Sequence, residues 1–234
     1  MNSKKNIVYL IIPAVLLSLN VYSHENDDPI LANLMFDKLE KRDTKNPKFL
    51  IDAQSWIGTD LNKFWLKADV ENHQGETEHA EMQALYSRAV APFWDIQIGI
   101  RQDTKPMTRT WSVLGIQGLA PYFFDIDAAL FIGEAGRTAA KISAEYDLRF
   151  TQRLILSPEI EIAIYGQNDT EAGVGSGLSS VNTGLRLRYE IRREFAPYIG
   201  IDWSKKFGTT ANYNRRQNEG VSDTQWVMGL RMWY

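Results

Sequence analysis

The chain has no cysteine and three histidines, His24, His73 and His79. Imidazole nitrogen is a common metal ligand and a common general base. His73 and His79 lie close to Glu76, Glu78 and Glu81, and Met107 falls in the following loop on the same side of the chain's up-and-down course. One or two imidazoles, a thioether and carboxylates form a set of weak, exchangeable ligands for a transition-metal ion. His24 offers a second arrangement: as a mature N-terminus it would chelate through its amine and its imidazole. The absence of cysteine removes disulfides and thiolate metal sites. A hydrolytic enzyme needs a nucleophile beside a positioned base, and the histidines lie in no recognisable Ser/His arrangement, so the chain is not expected to be an enzyme. A net charge of -3 leaves no electrostatic footprint for a nucleic-acid partner.

The elements that would position these groups are strands. In the last eleven residues, Trp226, Met228, Leu230, Met232 and Tyr234 are apolar and two apart, against Gln225, Gly229 and Arg231. Period two is the side-chain period of a β-strand. An alternating strand ending in an aromatic residue has the form of the closing strand of an outer-membrane barrel. At the other end, Lys4 and Lys5 precede an apolar run from Ile7 to Leu19, and Val21-Tyr22-Ser23 suits a signal peptidase. This predicts a signal peptide over 1–23, a short periplasmic segment over 24–33 and a single barrel over 34–234. No later stretch is long and apolar enough for a membrane helix. Alternating lipid-facing and lumen-facing residues cancel in a hydropathy window, which is why a chain only 44% hydrophobic can still span a membrane. Ten Tyr, ten Phe and seven Trp suit aromatic girdles.

Alternation predicts strands over 34–42, 49–57, 63–71, 78–90, 93–102, 109–118, 123–134, 138–150, 154–165, 180–192, 195–206 and 224–234. The first has the weakest pattern, and the facing of 109–118 is ambiguous. Short joints at Ala91-Pro92, Ala120-Pro121 and Arg193-Glu194 alternate with longer polar ones at 166–177 and 207–223, as periplasmic turns and extracellular loops do. The fold class is therefore all-β, a closed antiparallel transmembrane barrel of twelve strands, or ten if the first two do not span. Its place is the outer membrane of a Gram-negative bacterium, as a monomer surrounded by outer-membrane lipid.

The faces opposite the apolar ones carry Asp95, Asp125, Asp127, Glu159, Glu161, Arg186 and Arg188. Opposite charges on neighbouring strands pair favourably. Two readings of this interior stand side by side: a salt-bridged plug of side chains, or a polar path for a small ion. A general porin is disfavoured, because twelve strands form a narrow barrel. Met82, Met228 and Met232 fall on apolar faces and read as lipid-facing filler.

Several segments carry a resemblance. They are Met82-Gln-Ala-Leu-Tyr-Ser-Arg-Ala-Val-Ala-Pro-Phe-Trp-Asp95, Gly115-Ile-Gln-Gly-Leu-Ala-Pro-Tyr122, the run from Ala144 to Leu156, Gly175-Ser-Gly-Leu-Ser179, the run from Gly184 to Tyr198, and Trp203-Ser-Lys-Lys-Phe-Gly208. Together they resemble the outer-membrane copper resistance protein B family, from about residue 34 onward. The resemblance implies an outer-membrane barrel that binds or moves copper ions, working beside periplasmic copper-handling proteins, with copper held weakly and exchangeably. Members of that family often carry an N-terminal extension rich in Met and His. Here the corresponding segment is His24 to about Ala32, so the expected copper site is small: His73, His79, Met107 and Glu81 at the mouth, or His24, with the acidic lumen residues passing the cation along. The competing reading is a structural or adhesive barrel with no metal role.

Overall fold

Aliphatic side chains on one face of most strands and polar ones on much of the other can be reconciled with a bilayer in one way. Each strand needs two hydrogen-bonded neighbours, because lipid satisfies no backbone group, and this forces the sheet to close. The computed structural model describes residues 28–43, 48–73 and 75–234. It is such a closed sheet of twelve antiparallel strands: β1 Leu31–Asp43, β2 Lys48–Gly58, β3 Asn62–His73, β4 Glu76–Ala91, β5 Trp94–Lys105, β6 Arg109–Ala120, β7 Phe124–Gly133, β8 Thr138–Tyr146 resuming at Leu148–Arg149, β9 Leu154–Tyr165, β10 Gly177–Tyr189, β11 Phe195–Lys206 and β12 Ser222–Trp233. Each strand pairs with the next, and β12 pairs with β1. The closing seam runs to the last residue, where Tyr234 N donates to Leu34 O at 2.8 Å and Leu34 N to Tyr234 O at 3.0 Å. The ten-strand alternative is not needed, since both β1 and β2 span. The signal peptide expected over 1–23, and His24, lie outside the described residues.

The facing follows the alternation. Ile98, Leu114, Leu130, Ile132, Trp226 and Met228 are each more than half exposed, on the lipid side. Large exposed aromatics gather at one rim: Phe93, Tyr122, Phe123, Phe150, Trp233 and Tyr234. That rim carries the short turns and both described chain ends, which is the periplasmic arrangement in outer-membrane barrels. The turns after β1, β3, β5, β7, β9 and β11 therefore lie outside.

Three departures from the sequence reading have physical causes. In β1 the register shifts between Phe36 and Lys38, a bulge that puts the facing out of step and blurs the period-two pattern. The strand read as 180–192 begins at Gly177 and stops at Tyr189, because Phe195 N and Arg192 O close a tight turn at 3.2 Å. The segment read as a polar loop over 207–223 holds a helix, α1 Gly208–Arg216. It is anchored by buried Thr210, whose Oγ1 accepts from Gly175 N and lies within hydrogen-bonding distance of Ser179 Oγ, both at 2.8 Å.

The interior has two sectors. On β3, β4, β6 and β7 the inward side chains Trp65, Leu85, Trp111, Val113 and Phe131 pack into a buried apolar cluster. This settles the facing of β6, with Trp111 and Val113 inward and Leu114 and Ile116 outward. The opposite sector is a network of charges.

Candidate functional site

At the outer rim, β3 and β4 bring two imidazole–carboxylate pairs to the mouth. His73 Nδ1 lies 2.7 Å from Glu78 Oε1, and His79 Nε2 lies 3.4 Å from Glu81 Oε2. Glu78 also takes Lys48 Nζ at 2.7 Å. A carboxylate on one ring nitrogen fixes the imidazole and leaves the other nitrogen to a ligand, the usual support for metal-binding histidines. His73 fits this pattern, since its Nε2 is buried and has no hydrogen-bond partner among the described residues. A cavity of about 130 Å3 at the mouth is lined by His79, Met107, Asp103, Trp111 and Tyr165 among others. Its roof is the 166–177 loop, held down by Asp169, which pairs with Arg109 at 2.6 Å and Arg137 at 3.2 Å. His79 and Met107 thus share one cavity and His79 shares Glu81, whereas His73 does not line that cavity. Among the described residues, no group of three or more carboxylates and imidazoles is arranged to hold a metal ion unaided.

Below lies a central cavity of about 310 Å3. Its lining carries nine carboxylates against four cations, Lys38, Lys67, Lys141 and Arg231. Most of the carboxylates are paired. Asp127 takes Lys67 at 2.8 Å, Glu161 takes Lys141 at 2.9 Å, and Glu159 takes both Lys38 at 2.8 Å and Arg186 at 2.5 Å. Asp52, Asp69 and Asp125 have no ion pair among the described residues, and Asp69 Oδ1 is buried without any partner. Asp52, Asp69, Glu81 and Asp103 stand directly opposite one another on β2 to β5, so four acids form one lateral row.

Beside this cavity, across β1 and β9 to β11, charges knit the wall together. Arg186 pairs with Glu40 at 2.8 Å and Asp202 at 3.3 Å as well as with Glu159. Arg42 adds a 2.9 Å contact to Glu40. Two glycines make room for this hub. A Cβ at Gly184 would lie 2.2 Å from Arg186 Nη1, and one at Gly229 would lie 2.5 Å from the Tyr198 hydroxyl, which donates to Glu40. Arg188 pairs with Asp147 and donates to Ser157 Oγ at 3.1 Å.

Of the lumen residues expected from sequence, Asp127, Glu159, Glu161, Arg186 and Arg188 are held in ion pairs. Asp95 sits near the periplasmic rim, where Ser87 Oγ donates to it at 2.9 Å and Lys63 lies 3.7 Å away. Only Asp125 of that set faces the cavity without an ion pair. Sequence reasoning passed over Asp52, Asp69, Arg101 and Asp103 as site residues. Asp69 and Arg101 were legible as inward, but Asp103 lies past the strand end expected at Gln102, whereas β5 runs on to Lys105.

Residues 30–234 match the family model described as copper resistance protein B precursor. The copper resistance protein B homolog of Pseudomonas syringae pv. tomato is 45% identical over 211 residues, covering 89% of this chain and 72% of the relative. Copper resistance protein B of Escherichia coli is 42% identical over 218 residues, covering 92% of this chain and 74% of the relative. Among solved structures, the NanC porin superposes with a TM-score of 0.57 at 10% identity, covering 86% of this chain and 99% of the porin. The KdgM porin gives 0.53 at 11%, covering 86% and 98%. At such low identity these likenesses concern the barrel fold alone.

Proposed function

We propose that this chain, which belongs to the copper resistance protein B family, binds copper ions weakly at its outer mouth and moves them through the lumen of an outer-membrane barrel. The observation that carries the reading is the charge of the central cavity, nine carboxylates against four cations, lying beneath a mouth that holds His79 and Met107. An excess of fixed negative charge in a confined, low-dielectric space concentrates cations and repels anions. Imidazole and thioether at the entrance add a preference for copper over hard cations, which carboxylates alone would not give. Ligands pinned to neighbours, as His79 is to Glu81 and Met107 to Arg109 at 3.9 Å, bind a metal only by giving up those contacts. The affinity is correspondingly low, which an exchangeable cargo requires. His73, beside the cavity and held on Glu78, is the second imidazole of the mouth. No catalytic step is assigned. Copper ions are the cargo, and periplasmic copper-handling proteins are the natural donors or recipients.

The test has two arms. Deleting the gene should change both copper tolerance and cell copper content, and the sign of the content change gives the direction of movement. Replacing both mouth imidazoles, His73→Ala with His79→Ala, should weaken copper binding to the purified barrel at least about tenfold, the scale of losing a ligand together with its supporting contacts, while leaving its heat-modifiable gel shift intact. A folded double variant that binds copper and protects cells like the parent would remove the mouth site.

A further inference from the structure

The central and outer cavities have no lining residue in common. Arg101, on β5, stands between them. Its Nη2 lies 2.8 Å from Glu81 Oε2, its Nε donates to Asp103 Oδ1 at 2.7 Å, and its guanidinium carbon lies 4.9 Å from the centre of the Phe131 ring. Glu81 and Phe131 line the central cavity, whereas Arg101 and Asp103 line the outer one. The guanidinium therefore spans the boundary. Its partners are themselves fixed: Trp111 Nε1 donates to Asp103 Oδ2 at 2.8 Å, and Gln83 Nε2 donates to Glu81 Oε1 at 3.0 Å. The side chain is only 12% exposed. A planar fork held by two carboxylates and stacked on an aromatic face has little freedom to swing.

We propose that Arg101 is the selectivity residue of the lumen: a fixed guanidinium that separates the outer vestibule from the central chamber and yields only to a cation able to replace it on Glu81 and Asp103. A fixed positive charge in a constriction is a barrier to cations, and the surrounding low dielectric strengthens it. A monovalent ion competes poorly for two carboxylates already held by a bidentate arginine. A divalent ion competes better, and one arriving at His79 is already beside Glu81, 3.4 Å from that imidazole. Anions that pass Arg101 meet the carboxylates of the central cavity. The two filters in series reject both small anions and simple monovalent cations. The proposal takes the identity of the cargo from the reading above, but the barrier itself does not depend on copper.

The experiment therefore uses potassium chloride and thiol chemistry. In planar bilayers the full-length parent should conduct weakly. Arg101→Gln, which keeps the bulk and removes the charge, should raise the conductance roughly tenfold, the scale on which one fixed charge in a constriction acts, and the current should favour potassium over chloride. Arg101→Lys should stay near the parent. A heat-modifiable Arg101→Gln barrel that conducts like the parent would overturn the proposal. The absence of native cysteine allows a second measurement in an otherwise unaltered chain. A cationic thiol reagent added outside should label Gln167→Cys, in the outer cavity, about a hundredfold faster than Ser143→Cys, in the central one. Equal rates would also overturn it, whether or not the Arg101 variants fold. Neither readout involves copper. A parent-like Arg101→Gln conductance removes the barrier and leaves the copper reading standing, and a copper-indifferent double-histidine variant does the reverse.

Discussion

Replacing Arg186 with methionine removes the charge at the centre of the wall network and keeps most of the side-chain length. Arg186 is 7% exposed and touches three carboxylates, of which Glu40 is completely buried and Asp202 is 8% exposed. Breaking a buried ion pair from one side costs about 3–5 kcal/mol, because it strands the remaining charge. None of the three is stranded completely here. Glu40 keeps Arg42 at 2.9 Å and the Tyr198 hydroxyl at 3.2 Å, Glu159 keeps Lys38 at 2.8 Å, and Asp202 keeps Arg42 at 3.8 Å. The cost should therefore fall at the low end, about 3 kcal/mol. With a urea dependence of about 2 kcal/mol per molar, the unfolding midpoint in detergent should drop by about 1.5 M. Adding Glu40→Gln neutralises the most deeply buried acid and should recover part of the loss. A midpoint for Arg186→Met within a few tenths of the parent's would refute the claim that this hub holds the wall. It would make the ion pairs incidental to the fold.

Two further outcomes test the facing and the sidedness. Met228 lies at the middle of β12, 59% exposed toward lipid, so Met228→Arg should cost about 2–4 kcal/mol and deplete the heat-modifiable form. Gln225→Arg, on the lumen face, should assemble normally, and equal depletion in the two would mean the faces are reversed. An epitope inserted after Gly220, in the exposed turn beyond α1, should bind antibody on intact cells. Binding only after permeabilisation would invert the barrel.

The fold was legible because its main signal is local. Period-two alternation names each strand and its face without reference to any partner, so the assignments over β3, β5, β7 and β11 agree closely with the structure. Where the pattern failed, a local irregularity broke the period, as at the bulge between Phe36 and Lys38. The helix over Gly208–Arg216 was hidden for the opposite reason. Its sequence, GTTANYNRR, is mostly polar, and it is held by buried Ala211 and by the contacts of Thr210 with Gly175 and Ser179 around the start of β10. The inward face of each strand could be read, but not which inward groups meet. Arg186 and Glu40 are 146 residues apart. The row from Asp52 to Asp103 exists only because the strand registers place four acids side by side. Register depends on turn lengths and bulges, which no single strand encodes. Likewise, sequence reading treated the interior as charged throughout, and the apolar sector around Trp65, Trp111 and Phe131 appeared only once the strands were arranged side by side.

What the lumen does to an ion depends less on how many charges it holds than on where the uncompensated ones lie. The outer cavity is lined by Arg101, Lys105, Arg109 and Arg137 against Asp103 and Asp169. A pocket of about 30 Å3 on the periplasmic side shares Asp37, Lys38, Glu145, Glu159 and Arg231 with the central cavity and adds Arg186 and Arg188. The outer end is therefore richer in cations than in acids, the charges added at the inner end are both arginines, and the middle is acidic. Among the described residues that line these cavities, the three carboxylates without an ion pair, Asp52, Asp69 and Asp125, all belong to the central one. On the proposed reading, a cation is best stabilised in the middle and meets arginines on either side. An open porin has a different profile, a wide lumen that lets ions pass with little hold on them. The profile here favours residence over throughput. If the proposed path holds, it accounts in one scheme for a mouth of weak ligands, a chamber with unpaired acids, and arginines along the way an ion would enter or leave.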